Sequence, residues 1–226
     1  MHRFKFLIFI LLFTLGCQSF HNDSVTIGIY SFAFPKSFIL LKDHGVDSYV
    51  GKVTDKNISL NFDYGYYSNK LVLSPEEYIE KNIWLYEFIN NANQETPDDQ
   101  RVSLSDITIL NVRKANFSDK LNDIQSKYVA TLKWNNGEQF DYPIQIPESL
   151  NAYTILKDTI QNCLRKIVLA KDPKNGITGI YLQNLADFNK SINSSLALSM
   201  STSNLTKQQQ DSILKIFYTV KIINPK

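Results

Sequence analysis

Tyr128-Val-Ala-Thr-Leu-Lys-Trp134, Asn135-Asn136-Gly137-Glu138 and Gln139-Phe-Asp-Tyr-Pro-Ile-Gln-Ile146 run consecutively, and the fold is read outward from them. Two arms rich in β-branched and aromatic residues flank an Asn-Gly step. Asn and Gly enter the left-handed backbone region at low cost, so the step closes a tight hairpin and predicts antiparallel neighbours. Ser48 to Val53 and Ile58 to Tyr64 read as a second hairpin across Thr54-Asp55-Lys56-Asn57. In its second arm Ile58, Leu60, Phe62 and Tyr64 share one face, because side chains alternate along a strand. Val25 to Phe34 alternates and reads as one strand, stopped by Pro35. Phe38 to Leu41 is a short apolar run before the turn Asp43-His44-Gly45. Ile107 to Val112, Lys166 to Ala170, Ile177 to Leu182 and Leu196 to Met200 complete the strands.

Helices announce themselves by their caps. Ser74-Pro75-Glu76-Glu77 combines a capping serine, proline at the first helical position and glutamate three residues after the cap. This predicts a helix to about Asn90, with Ile79, Ile83 and Tyr86 buried and Leu85 and Ile89 beside them. Asn91 to Arg101 is a polar loop. Thr206-Lys207-Gln208-Gln209 is a second capping box, opening a helix with Ile213, Phe217 and Val220 inward. Tyr153 to Leu164 reads as a short helix. The sum predicts an α+β fold, a largely antiparallel sheet flanked by two main helices in an α/β/α sandwich.

The start of the chain carries an address. Met1 to Lys5 is cationic, and Phe6 to Phe13 is an unbroken apolar run. That run is too short to span a bilayer, which needs about 20 residues of helix, and it has the layout of a secretory signal. Gly16-Cys17 follows it and resembles the cleavage point of the bacterial lipobox. The resemblance implies residues 1–16 as a lipoprotein signal peptide, Cys17 as the lipidated residue, 17–24 as a tether and 25–226 as a single globular domain. The alternative is an ordinary cleaved signal with Cys17 left free or disulfide-bonded. Residue 18 is Gln, not the Asp associated with inner-membrane retention, which favours the outer membrane.

Composition bounds the partners. The hydrophobic fraction of 43%, with 14 Phe and 12 Tyr, fits a packed body and not a disordered tail. Without Arg3 and Lys5 of the leader, 22 basic residues face 22 acidic ones. This balance argues against nucleic acid and against a polybasic membrane patch. With Cys17 lipidated, Cys163 stands alone and has no disulfide partner.

Several strings carry a family resemblance: Phe34-Pro35-Lys36, Gly45 to Gly51, Phe62 to Asn69, Asn175 to Tyr181 and Leu205 to Val220. They are similar to the uncharacterised single-domain lipoproteins of Bacteroidota, a group that brings no established activity. The order of elements also resembles the PsbP/Mog1-like sandwich. That resemblance implies a binding or accessory module, although a fold does not settle a function.

Chemistry-bearing residues are few. Cys163 and His44 are the one thiol and the one imidazole well inside the predicted domain, and a Cys/His pair can act as nucleophile and base. Asn162-Cys163-Leu164 is equally the context of a buried, inert cysteine. Asp172 to Gly176 lacks the alternating ligands of a calcium loop, and no paired His or Cys spacing suggests zinc, so neither metal nor cofactor is expected. Asp63-Tyr64-Gly65-Tyr66-Tyr67-Ser68-Asn69 is the strongest recognition signal, with Asp47 and Tyr49 expected across the hairpin. Tyrosines offer wide, stiff apolar surface plus a hydroxyl, which suits a protein or a glycan. The competing reading is that these rings cover the core. The expectation is therefore a lipid-anchored, non-enzymatic envelope module binding through Asp47, Tyr49, Asp63, Tyr64, Tyr66 and Tyr67. An envelope hydrolase using Cys163 and His44, or an immunity lipoprotein against a secreted toxin, are the alternatives.

Overall fold

The computed structural model describes residues 22–116, 119, 126–192 and 194–223. Cys17 and the leader lie outside the described residues. The fold is mostly β, with 48% strand and 19% helix. This corrects the expected α+β sandwich with two main helices: the described residues form three antiparallel sheets and four short helices.

β1 (Asn22–Ile27) and β2 (Tyr30–Pro35) form a hairpin where one strand was expected. Alternation runs through both arms, so periodicity alone does not reveal the turn. Gly28 makes it, at φ +58°. β1 also begins inside the expected tether of residues 17–24. β3 (Ile39–His44), β4 (Tyr49–Thr54) and β5 (Ser59–Gly65) follow as a meander, in agreement with the predicted hairpin.

The first helical segment splits into α1 (Pro75–Glu80) and α2 (Ile83–Ala92). Ser74 caps α1 as expected: its hydroxyl accepts from the Glu77 N–H, while the Glu77 carboxylate accepts from the Ser74 N–H. Asn82 breaks the helix at φ +52°. The break turns the second helix, so Trp84, Leu85 and Ile89 are buried and Tyr86, expected inside, is exposed.

β6 (Ile107–Lys114), β7 (Tyr128–Trp134) and β8 (Gln139–Ile144) form one small sheet, with Gly137 at φ +93° closing the predicted hairpin. α3 (Glu148–Asn151) leads to β9 (Tyr153–Ile160) and β10 (Cys163–Ala170), where a helix was expected. Gln161 and Asn162 both have positive φ, at 45° and 63°, and close a tight turn. Thr154, Ile155, Thr159 and Ile160 are β-branched and favour the extended form over a helix. β11 (Ile177–Asn189), β12 (Ser194–Ser203), α4 (Lys207–Tyr218) and β13 (Lys221–Ile222) complete the order.

The largest sheet has the order β3-β4-β5-β12-β11-β10-β9. One face meets the β1-β2-β13 sheet and α4. Phe32 and Phe34, Leu60 and Phe62, Ile180 and Leu182, Leu198 and Met200, and Ile213 and Phe217 form a continuous core there. Gln210 of α4 fixes the helix to the sheet, donating to the Ala170 carbonyl at 2.9 Å and to Thr178 Oγ1 at 3.1 Å. A second core joins α1 and α2 to the β6-β7-β8 sheet through Tyr78, Trp84, Leu85, Ala130, Leu132 and Ile144.

Candidate functional site

Antiparallel registers decide where the predicted recognition residues point. Tyr49 and Tyr64 are direct partners across β4 and β5. Both pack on the first core. The Tyr49 ring lies 5.2 Å from Phe62, and Tyr64 meets Tyr30 edge-on at 6.2 Å. Tyr64 fills the space over Gly28, where a Cβ would fall 2.1 Å from its ring. Burial raises the Tyr64 phenol, although a hydrogen bond with the Ile29 backbone opposes the shift. These two tyrosines are therefore packing residues.

Asp63 sits one residue from Tyr64 and so points to the opposite face. There it pairs in register with Val50 and Ser199, and its Oδ1 is buried without a hydrogen-bond partner among the described residues. Asp47 is exposed in the β3–β4 turn. Tyr66 and Tyr67, beyond the end of β5, are 36% and 66% exposed. The six predicted residues thus divide between a core face, an opposite face and a loop surface.

That loop surface is larger than the sequence indicated. The β3–β4 turn, the end of β5, the β9–β10 turn and the β11–β12 tip all lie at one end of the seven-stranded sheet. The Ser194 hydroxyl donates to the Tyr66 carbonyl at 2.7 Å, and the Leu185 N–H donates to the Asn162 carbonyl at 3.0 Å. These bonds join the loops. Val46, Leu185 and Phe188 are exposed here with Tyr66 and Tyr67. Leu185 and Phe188 stand in the polar run Asn184 to Asn193. That mismatch was the available signal, and sequence reading missed it.

A second arrangement occupies the other face of the sheet. Lys157, Lys166, Tyr181, Ser199 and Asp63 follow one another in register across β9, β10, β11, β12 and β5. Lys166 Nζ donates to Glu77 Oε2 at 2.7 Å, and Lys157 Nζ lies 3.3 Å from Glu77 Oε1. Burial works against ionisation of Glu77, but the Lys166 ammonium and the Ser74 N–H outweigh it and hold the carboxyl below its ordinary value. Burial lowers Lys166, and Glu77 opposes that shift. Burial and the Glu77 charge push the Tyr181 phenol up to about 12. Both Glu77 oxygens are engaged, so the carboxylate serves as a clamp between α1 and the sheet and not as a general base.

Cys163 is 1% exposed, and the Tyr30 hydroxyl donates to its Sγ at 3.9 Å. Burial pushes this thiol up, away from thiolate character. His44 ends the edge strand β3, with β4, β5, β12 and β11 standing between β3 and β10. At about 4.8 Å per strand, the ladder separates the two positions by roughly 24 Å. The structure does not bring this pair together. Among the described residues no group of three or more His, Cys, Asp or Glu could hold a metal ion. No protein-family profile matches the chain, and no curated protein matches it.

Proposed function

We propose that this chain is a membrane-anchored lipoprotein of the cell envelope, held through acylated Cys17 and binding a protein or glycan partner with its loop end. The observation that carries the reading is the polarity of the domain. β1 starts at Asn22, five residues after Cys17, and runs to the turn at Gly28, which lies against Tyr64. Six extended residues cover about 20 Å, so the described chain enters the domain at the end opposite the aromatic loops, and an anchor held there would face away from them. Lipid at one end leaves the other presented to partners. Tyr66, Tyr67 and Phe188 supply broad, stiff contact surface there, the kind that anchors protein and glycan interfaces. Gln18 favours the outer membrane as the site of attachment.

The test has two arms. Radiolabelled palmitate is expected to enter the full-length chain but not Cys17→Ala, which should leave the membrane fraction. Purified protein lacking residues 1–17, and so free of lipid, is expected to be retained by an immobilised envelope extract, and Tyr67→Ser with Phe188→Ser in that background to lose the retention at an unchanged melting temperature. Retention equal to wild type in the double variant removes the loop end as the binding surface.

A further inference from the structure

Away from the loop end, α4 and the end of β2 enclose a groove of about 470 Å³, within the range of small-ligand sites. Phe38, Ile58, Ile213 and Ile216 make its lining apolar. Most polar groups around it are already engaged. Thr219 Oγ1 accepts from the Ala33 N–H at 2.8 Å and donates to the Ile216 carbonyl at 2.6 Å. The Ser212 hydroxyl donates to the Gln208 carbonyl at 2.9 Å. Asp55 Oδ1 accepts the N–H groups of Asn57 and Ile58, both at 2.8 Å. Lys215 differs: it borders the groove, is exposed, and makes no ion pair among the described residues.

We propose that this groove binds a long-chain fatty acid, its alkyl chain on the apolar lining and its carboxylate at Lys215. An apolar trough with Lys215 as the one cation among its lining residues matches an amphipath of one chain and one negative charge. Asp55, also bordering the groove, disfavours a second anionic head. The groove's place supports the same occupant. Pro35, which lines it, is the register partner of Asn22, so the site lies at the end where the chain leaves towards Cys17 and where lipid would be at hand. The site itself needs no acylation of Cys17, so it stands or falls separately from the anchor.

The probe is a sixteen-carbon fatty acid carrying a diazirine near its methyl end, added to isolated membranes that contain the full-length chain. After irradiation, the adducts are expected on peptides holding Pro35 to Phe38 or Ile213 to Ile216. Unlabelled palmitic acid should compete at least about tenfold better than hexadecanol, which lacks the charge. Lys215→Glu, an exposed substitution, should reduce labelling about tenfold, and Ser37→Trp should block the groove. Cys17→Ala, irradiated with the probe in whole-cell lysate so that its expected departure from the membrane fraction does not remove it, should keep the labelling intact. Labelling spread evenly over the surface, indifference to both groove variants, equal competition by the alcohol, or loss of labelling in Cys17→Ala would each overturn the proposal.

Discussion

Lys166 Nζ and Glu77 Oε2 stand 2.7 Å apart across 89 residues of sequence, with the lysine side chain 2% exposed. The pair ties the first turn of α1 to the centre of β10. A buried ion pair adds little net stability over an apolar pair, yet removing one partner strands a charge in a poorly solvated place. Glu77→Gln keeps a capping side chain but leaves Lys166 unpaired, and is expected to cost about 2–4 kcal/mol in urea unfolding. Lys166→Met in the same chain should recover most of that loss. A double-mutant cycle with no coupling between the two sites would contradict the clamp.

Acid should weaken the same contact. The folded carboxyl of Glu77 lies below its ordinary value, so the folded state holds fewer protons than the unfolded chain in that window. Its contribution is fully present above the ordinary carboxylate range and is lost as pH falls through the lower folded value. Unfolding free energy is therefore expected to drop more steeply with acid in wild type than in Glu77→Gln. Equal pH slopes between about pH 5 and 2 would refute this assignment.

Gly28 is expected to tolerate no side chain. Its φ of +58° strains an L-residue, and a Cβ would meet the Tyr64 ring at 2.1 Å. Gly28→Ala should destabilise by about 3 kcal/mol, combining left-handed strain with overpacking. Tyr64→Leu in the same chain should return part of the loss by making room, which thermal melts would show.

Cys163 should be chemically silent in the folded protein. Its thiol is 1% exposed and raised by burial, so alkylation at pH 8 needs an opening of the first core. Labelling by iodoacetamide, followed by mass spectrometry, is expected to be at least 100-fold slower without denaturant than in 6 M guanidinium (about the exposure ratio local opening allows). Rapid native labelling would show a reachable thiol.

Tyr67 and Phe188 should be dispensable for stability. They are 66% and 50% exposed, so Tyr67→Ser and Phe188→Ser should each stay within about 0.5 kcal/mol of wild type by denaturant titration. A larger loss would mean that the rings pack against the loops and are not presented to a partner.

Local signals in the sequence match the structure where a few neighbouring residues decide it. Ser74 with Glu77 and Thr206 with Gln209 form the two predicted capping boxes, and Gly137 closes the hairpin between Trp134 and Gln139. Sequence and structure part where two conformations share one local pattern. Val25 to Phe34 alternates whether or not Gly28 turns the chain, and Tyr153 to Leu164 spaces its apolar residues well enough for a helix. The candidate site divided for the same reason. Asp63 and Tyr64 are adjacent in sequence, but strand alternation sends one to each face. Which face is buried depends on β1, β2 and α4, all distant along the chain.

By itself, then, the sequence determined the caps, the Asn-Gly turn, the meander through β4 and β5, and the charge balance, because each depends on residues a few positions apart or on composition. Only the tertiary structure decided that Tyr49 and Tyr64 fill the core, that Lys166 is buried beneath α1, and that Phe188 joins Tyr66 and Tyr67 at one end. Those outcomes follow from strand registers and sheet packing, which bring together residues more than a hundred positions apart that carry no mark of each other in the sequence.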